Sequence, residues 1–249
     1  MDIQQLKPYK ILLVGDNCED VYRYGTVDRI SPEAPVPVFK FAYEERRPGM
    51  AGNVCKNLEA LDCEVNYLHS ETSTKTRLID TRSKQHIVRI DEDASCTPLE
   101  FDTDIPNVYD AIVVSDYDKG TVSYELIEEL IDTGIPVFVD TKKTDLARFQ
   151  GAWIKINELE YSKIKSESSG LIVTRGAKGA SVIHHDIECS APKVEVSDVT
   201  GAGDTFLSAL TVEYLSTRSI EQAVKFAIQA AGITVQHLGV YAPGWEEIK

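Results

Sequence analysis

A chain of 249 residues with 43% hydrophobic content is long enough to bury a substantial core, as one large α/β domain or two small ones. Its 26 basic and 40 acidic residues give a formal net charge of −14, which argues against a nucleic acid or an anionic membrane as the main partner and leaves a local phosphate site open. Met1–Lys7 has no apolar signal core, no apolar run elsewhere is long enough to span a bilayer, and five scattered cysteines form no Cys-x-x-Cys pair, so the expectation is a cytoplasmic protein with reduced thiols.

The first apolar run, Lys10-Ile11-Leu12-Leu13-Val14-Gly15-Asp16, predicts a buried strand whose C-terminal end carries ligand groups. Asp16 and Asp20 lie just beyond it, and turn capping by Asp16 is the alternative. Pro32, Pro35 and Pro37 forbid a helix in the Tyr24–Val38 stretch and favour an extended edge. Arg47–Leu61 has a glycine-rich start feeding apolar positions at helical spacing, so a helix N-terminus there can face a ligand. Thr74–Asp91 reads as two β-rich segments around a polar turn.

Ala111–Gly120 is another buried strand ending in polar groups, followed by an amphipathic helix over Tyr124–Asp132, and Ile135–Lys142 repeats the arrangement. This alternation predicts a mainly parallel sheet with its site at the strand C-termini, where Asp116, Lys119, Asp140 and Lys142 share the rim. Trp153–Glu160 adds a third strand end with an Asn157-x-x-Glu160 step, which suits either hydrated magnesium or a helix cap. Leu171–Gly179 contains Thr174, Gly176 and Gly179 but no Gly-Lys-Ser/Thr, so it is not a Walker loop.

The chain is organised around Asp198-Val199-Thr200-Gly201-Ala202-Gly203-Asp204-Thr205-Phe206. Gly201 and Gly203 let the backbone approach a ligand, and the helix opening near Asp204 offers unpaired N–H groups and a positive dipole end that suit an anion. A carboxylate among those donors repels phosphate, so a proton acceptor for an attacking hydroxyl explains Asp204 better. Beyond it Leu207, Leu210, Val212 and Leu215 predict a buried helix, and Ser219 with Gln222 a capping box for a second helix ending near Gly239.

This segment resembles, position for position, the C-terminal signature of the ribokinase-like (PfkB) carbohydrate kinases. The resemblance implies that Asp204 is the catalytic base, that the amides of Gly201, Ala202 and Gly203 form an anion hole, and that Thr200, Thr174, Gly176 and Gly179 meet the nucleotide. Arg29–Val38 looks like the kinase part of the bacterial heptose-phosphate kinases, the branch that phosphorylates the anomeric oxygen of a heptose 7-phosphate. Arg47–Leu61 resembles the first family signature, which puts Gly49 and Asn53 against the sugar; the usual second glycine is Met50, expected to narrow the pocket. Asp16, Asp20, Asp116, Lys119 and Lys142 are implied in substrate binding, although Thr141 and Lys143 replace the branch's proline and glycine beside Lys142. Arg89, with Lys75 and Arg77, would meet a distal sugar phosphate, the alternative being solvated strand faces. Asn157 and Glu160 fall on the metal-associated motif, and an asparagine common near the base is Ile228, which implies weaker ATP binding or another nucleotide.

The expected fold is a ribokinase-like three-layer α/β sandwich with a mainly parallel central sheet and a small β-lid. It forms a single compact domain over residues 1–249, with lid segments near 17–47 and 72–95. Against the family pattern the chain is pruned of two elements, around Glu71–Thr74 and Ser162–Gly170, so that some face of the sheet is expected to be uncovered or differently covered. The implied activity is that of a magnesium- and ATP-dependent sugar kinase acting on a heptose 7-phosphate. A kinase for another sugar, sugar phosphate or nucleoside, and a catalytically silent sugar-phosphate-binding protein, are the alternatives. A homodimer through the lid is expected, and a separate nucleotidyltransferase in place of the one often fused to heptose kinases.

Overall fold

The computed structural model describes residues 8–100 and 108–248. Its elements in chain order are β1 (Lys10–Gly15), β2 (Asn17–Ile30), β3 (Pro37–Met50), α1 (Ala51–Ala60), β4 (Glu64–Leu68), β5 (Thr72–Asp80), β6 (His86–Glu92), β7 (Ala111–Asp116) and α2 (Tyr124–Asp132). There follow β8 (Val137–Thr141), β9 (Trp153–Asn157), α3 (Glu158–Tyr161), β10 (Leu171–Thr174), β11 (Ala180–Val182), β12 (Ile187–Cys189), α4 (Ala202–Thr217), α5 (Ile220–Thr234) and α6 (Trp245–Ile248).

The central sheet has the order β12-β11-β10-β9-β8-β7-β1-β4; β10 to β4 are parallel, and β11 and β12 continue one edge antiparallel. Its strands are apolar on both faces because both are covered. In β1, Ile11 and Leu13 pack toward α1, α4 and α5, while Leu12 and Val14 pack toward α2. The shift from β4 back across β1 to β7 puts the strand ends and their loops on one rim, the general place for a ligand in such sheets.

The α2 face carries few helices, yet its strand residues Leu12, Val14, Ile112, Val114, Ile154 and Val173 are fully buried. A single 3₁₀ turn, Leu146–Phe149, supplies much of the cover: Leu146 and Phe149 are buried, and the Phe149 ring stacks on Tyr124 of α2 at 5.4 Å. Tyr161 and Ile164 pack on the same cluster. α4 is buried continuously from Asp204 to Val212, as a helix with apolar neighbours on every side must be. Ser219 accepts the Gln222 N–H and caps α5, which ends at Thr234 rather than near Gly239. Among the described residues no helix is long and apolar enough to cross a membrane.

A second sheet, β3-β2-β5-β6, stands over the rim. The hairpin between β2 and β3 turns at Ser31–Val36, where the prolines lie and the Ser31 N–H donates to the Val36 carbonyl at 2.8 Å. β3 runs directly into α1 through Met50, which carries φ +50°. The glycine that the resemblance leads one to expect here would adopt that angle freely; methionine carries backbone strain of roughly 1–3 kcal/mol. Its side chain is buried at the junction of β3 and α1.

Because the 3₁₀ turn buries Leu146 and Phe149 on this face, Phe149→Ala is expected to cost roughly 3–5 kcal/mol in urea unfolding. A loss below about 1 kcal/mol, within the range of surface substitutions, would show that this turn does not hold the face closed.

Candidate active site

Asp204 lies in the first turn of α4, 6% exposed. Both carboxylate oxygens have partners from distant parts of the chain: the Asn53 amide of α1 donates to Oδ2 at 2.7 Å, and the Tyr117 hydroxyl, from the loop after β7, donates to Oδ1 at 3.1 Å. Burial pushes the carboxyl up to about 6, and the Asp140 charge adds to the rise; Asn53, the Lys155 ammonium and Tyr117 restrain it. A carboxylate near 6 is ionised at neutral pH yet basic enough to take a proton from an approaching hydroxyl.

The glycine turn is shaped around these partners. Gly201 holds φ +79°, and a Cβ there would lie 2.8 Å from Asn53 Nδ2. A Cβ on Gly203 would lie 2.8 Å from Lys155 Nζ. Each glycine is therefore bare on the side where a polar side chain approaches the carboxylate, while the amides of Gly201, Ala202 and Gly203 remain at the start of α4, where a helix favours an anion. Lys155 is buried in β9 and paired with Asp140 of β8 at 2.6 Å. Burial works against that ammonium, but Asp140, Asp204 and Glu160 together hold its pKa above the ordinary lysine value. The sequence reading placed Asp140 on the rim and assigned nothing to Tyr117 or Lys155. The available signal for Lys155 was a lone charge between two isoleucines in a short buried strand.

The rim carboxylates divide into inward and outward groups. Asp16 is 0% exposed; its Oδ2 accepts the Tyr117 N–H at 2.7 Å and the Lys119 N–H at 3.2 Å, and its Oδ1 the Thr121 N–H at 3.3 Å. Asp16 thus caps the turn, the alternative that the sequence left open, and shapes the loop that delivers Tyr117. Asp116 is equally withdrawn, accepting from Thr141 Oγ1 and the Asp118 N–H and pairing with the buried Lys143 at 3.1 Å, so it too supports the rim from behind. Burial raises its pKa against the pull of Lys143. Lys119 pairs with Asp93 at 2.8 Å, and Lys142 pairs with Glu160 while lying over the Tyr117 ring.

Asn157 and Glu160 form a reciprocal capping box at α3: Asn157 Oδ1 accepts the Glu160 N–H, and Glu160 Oε2 accepts the Asn157 N–H. Of the two readings the sequence left open, the cap is therefore present. A hydrated magnesium ion needs only one or two carboxylates besides nucleotide phosphates. Glu160 fits such an ion, because Oε1 faces only the Lys142 ammonium, whereas Asn157 positions Glu160. Among the described residues no group of three or more His, Cys, Asp or Glu side chains forms a metal cluster.

The second sheet brings cations over the cleft. Asp20 pairs with Arg77 at 2.6 Å, both largely buried, and a Cβ on Gly49 would lie 2.5 Å from Asp20 Oδ2, so that glycine makes room for the pair. The Arg77 and Arg47 guanidinium carbons lie 5.1 and 5.2 Å from the Tyr22 ring centre. Arg47 also reaches the loop at Gly239, whose N–H donates to Asp198 at the head of the anion-hole segment. Arg89 is opposite Arg77 on the outer strand, exposed and paired with Asp91, so the structure does not bring it to Asp204.

A cavity of about 370 Å³ opens beside the glycine turn. Thr174, Gly176, Gly179 and Gly203 line one end, and Phe206, Ile228, Ala231 and Val235 give it an apolar wall. Ile228 thus belongs to the cavity where a polar residue was expected from the resemblance. Thr200 is exposed and spends its N–H and hydroxyl on Asp198 Oδ1, so it shapes the turn.

Residues 158–248 match the pfkB family of carbohydrate kinases. A curated relative, the bifunctional protein HldE of a Nitratiruptor species, is 35% identical over 305 aligned positions, covering 98% of this chain. The chain spans 65% of that relative's length, and the alignment is longer than the chain itself, so the relative carries segments this chain lacks. Ribokinase from Thermotoga maritima superposes with a TM-score of 0.73 at 18% identity, over 96% of this chain and 98% of that one. Arabidopsis thaliana ribokinase complexed with ribose and ATP gives 0.70 at 16%, over 97% and 98%. These likenesses show a ribokinase-like α/β fold, and residues 158–248 carry the match to the pfkB family of carbohydrate kinases.

Proposed function

We propose that this protein transfers the γ-phosphoryl group of ATP to a sugar hydroxyl, with Asp204 as base and a heptose 7-phosphate as acceptor. The observation that carries the reading is Asp204 itself: a buried, elevated-pKa carboxylate held at the anion-binding end of α4, beside a cavity lined by glycines. The acceptor hydroxyl attacks the γ-phosphorus as its proton passes to Asp204; the new O–P bond forms while the bond to the β-phosphate oxygen breaks, and ADP leaves. The amides of Gly201, Ala202 and Gly203 stabilise the charge on the transferring group. Magnesium, when bound, supplies charge neutralisation on the phosphates, with Glu160 as its carboxylate contact and Lys142 released to the same phosphates.

Asn53 holds the base and offers its amide to the sugar. For the distal phosphate the reading uses Arg77 and Arg47 over Tyr22, with Lys75 beside them on β5; Arg89 is left to the solvent side. The heptose choice rests on the resemblance of Arg29–Val38 and on these cations, and the ATP site on the cavity bounded by Ile228. A homodimer through the second sheet belongs to the same reading, since Ile30, Val36, Phe41, Val88 and Ile90 are exposed there, and sedimentation velocity checks it.

ADP release is to be followed with magnesium-ATP against heptose 7-phosphate, fructose phosphates, ribose and adenosine. Turnover is expected on the heptose phosphate, and Asp204→Asn should lose about a hundredfold or more in kcat; near-normal turnover in that variant would sink the assignment of the base. A folded protein that binds the sugar phosphate and turns over none of the panel would instead be a silent binder. Arg77→Met is expected to raise KM for the phosphorylated acceptor by about tenfold, with a smaller change in kcat.

The folded-state pKa of Asp204 lies above its ordinary value of 3.8, at about 6. The native state therefore holds a proton that the unfolded chain has lost between those values, and this contribution to stability disappears as pH rises through 6. Asp204→Asn is expected to be more stable than wild type by on the order of 2 kcal/mol at pH 8, the gap closing toward pH 4. Thermal melts across that range check it, and an equal gap at both ends would contradict the buried-charge account. Activity should fall on the acid side of about pH 6 as the base protonates.

A further inference from the structure

Alternation along β9 turns Ile154 and Ile156 toward the α2 layer and Lys155 toward α4, which delivers an ammonium beneath the glycine turn. The placement is electrostatically adverse in two ways. The ammonium is almost completely buried, and it lies against the N-terminal end of α4, where the helix dipole disfavours a cation. Asp140 meets it at 2.6 Å through Oδ2, and the second oxygen of Asp140, Oδ1, is buried without a hydrogen-bond partner. A pair that only filled space would be replaced without loss by apolar side chains of similar volume. The room it occupies is made by the missing side chain of Gly203, whose Cβ would lie 2.8 Å from Nζ and 3.9 Å from Asp140 Oδ2.

We propose that Lys155 is a positioning residue for phosphoryl transfer, a buried ammonium wedged between Asp140 and the bare Cα of Gly203 that fixes the charge of the corner in which Asp204 works. The inference rests on reading Asp204 as the base. It gives Gly203 a second duty beyond its amide: leaving space for the ammonium. The groups facing Asp204 are the Asn53 amide from α1, the Tyr117 hydroxyl from the loop after β7, Asp140 from β8 and Lys155 from β9. Glu160 of α3, itself paired with Lys142, acts on Lys155 and Tyr117. Among them Lys155 is the cation that favours ionised Asp204, and Asp140 is the anion that opposes it. Removing the ammonium makes Asp204 harder to ionise; removing the Asp140 charge makes it easier.

The test reads the ionisation of Asp204 without relying on turnover. The pH at which the stability gap between Asp204→Asn and its parent levels off, which reports the folded-state pKa, is measured by thermal melts in three backgrounds: wild type, Lys155→Met and Gly203→Ala. Gly203→Ala keeps the backbone amide at a position without a positive φ and fills the space of the ammonium. The plateau is expected to move up by about one pH unit in Lys155→Met and in the same direction in Gly203→Ala, while Asp140→Asn moves it down. The acid limb of kcat/KM with magnesium-ATP and heptose 7-phosphate should follow the same order. A plateau that stays put in Gly203→Ala, and in Lys155→Met where that variant folds, overturns the inference while leaving the base reading intact. Undiminished turnover in Asp204→Asn removes the base reading, and this inference with it.

Discussion

The site depends on keeping one carboxylate buried and still able to accept a proton. Water would hold Asp204 near the ordinary carboxylate range, and a wholly apolar pocket would keep it protonated at neutral pH. The protein finds the intermediate condition by burying Asp204 at a helix N-terminus and surrounding it with an amide donor, a hydroxyl donor, a cation and an anion. Each partner comes from a different element, so α1, the loop after β7, β8 and β9 must all be in register for this carboxylate to have its pKa. The two glycines of the turn are the steric condition for that convergence, since a side chain at either would strike Asn53 or Lys155.

The α2 side of the sheet makes a different demand. The groups that serve Asp204 lie on the α4 side of the sheet or on its C-terminal rim, away from the α2 side. There the requirement is only that apolar strand faces be removed from water, which a 3₁₀ turn carrying Leu146 and Phe149 can meet. Packing is fungible in a way that the geometry around a buried charge is not.

Charge is handled in the same layered manner on the rim. Asp16 and Asp116 are turned inward, where backbone N–H groups, Thr141 and Lys143 satisfy them, and they shape the loop bearing Tyr117. Lys142, Arg77 and Lys119 are each paired with an acid, so the arrival of a phosphate would exchange partners and leave few charges bare at any stage. That economy fits a chain of net charge −14 with a local site for polyanions.

The sequence by itself determined what local periodicity and backbone chemistry can determine. Apolar runs ending in polar residues gave the parallel strands and their rim, the Tyr124–Asp132 pattern gave α2 to the residue, and the Gly201-Ala202-Gly203-Asp204 turn opened a buried helix. These are short-range signals, carried by side-chain alternation and by glycine's freedom. Which rim carboxylate faces the cleft was decided by the tertiary structure, because Asp16 is satisfied by N–H groups about a hundred residues away, and Asp204 by an amide 151 residues away. No spacing in the chain encodes such a choice between a partner and solvent. The assignment of Lys155 was beyond the sequence for the same reason: its charge is legible, but Asp140 and the empty side of Gly203 become its surroundings only when β8, β9 and α4 are packed together.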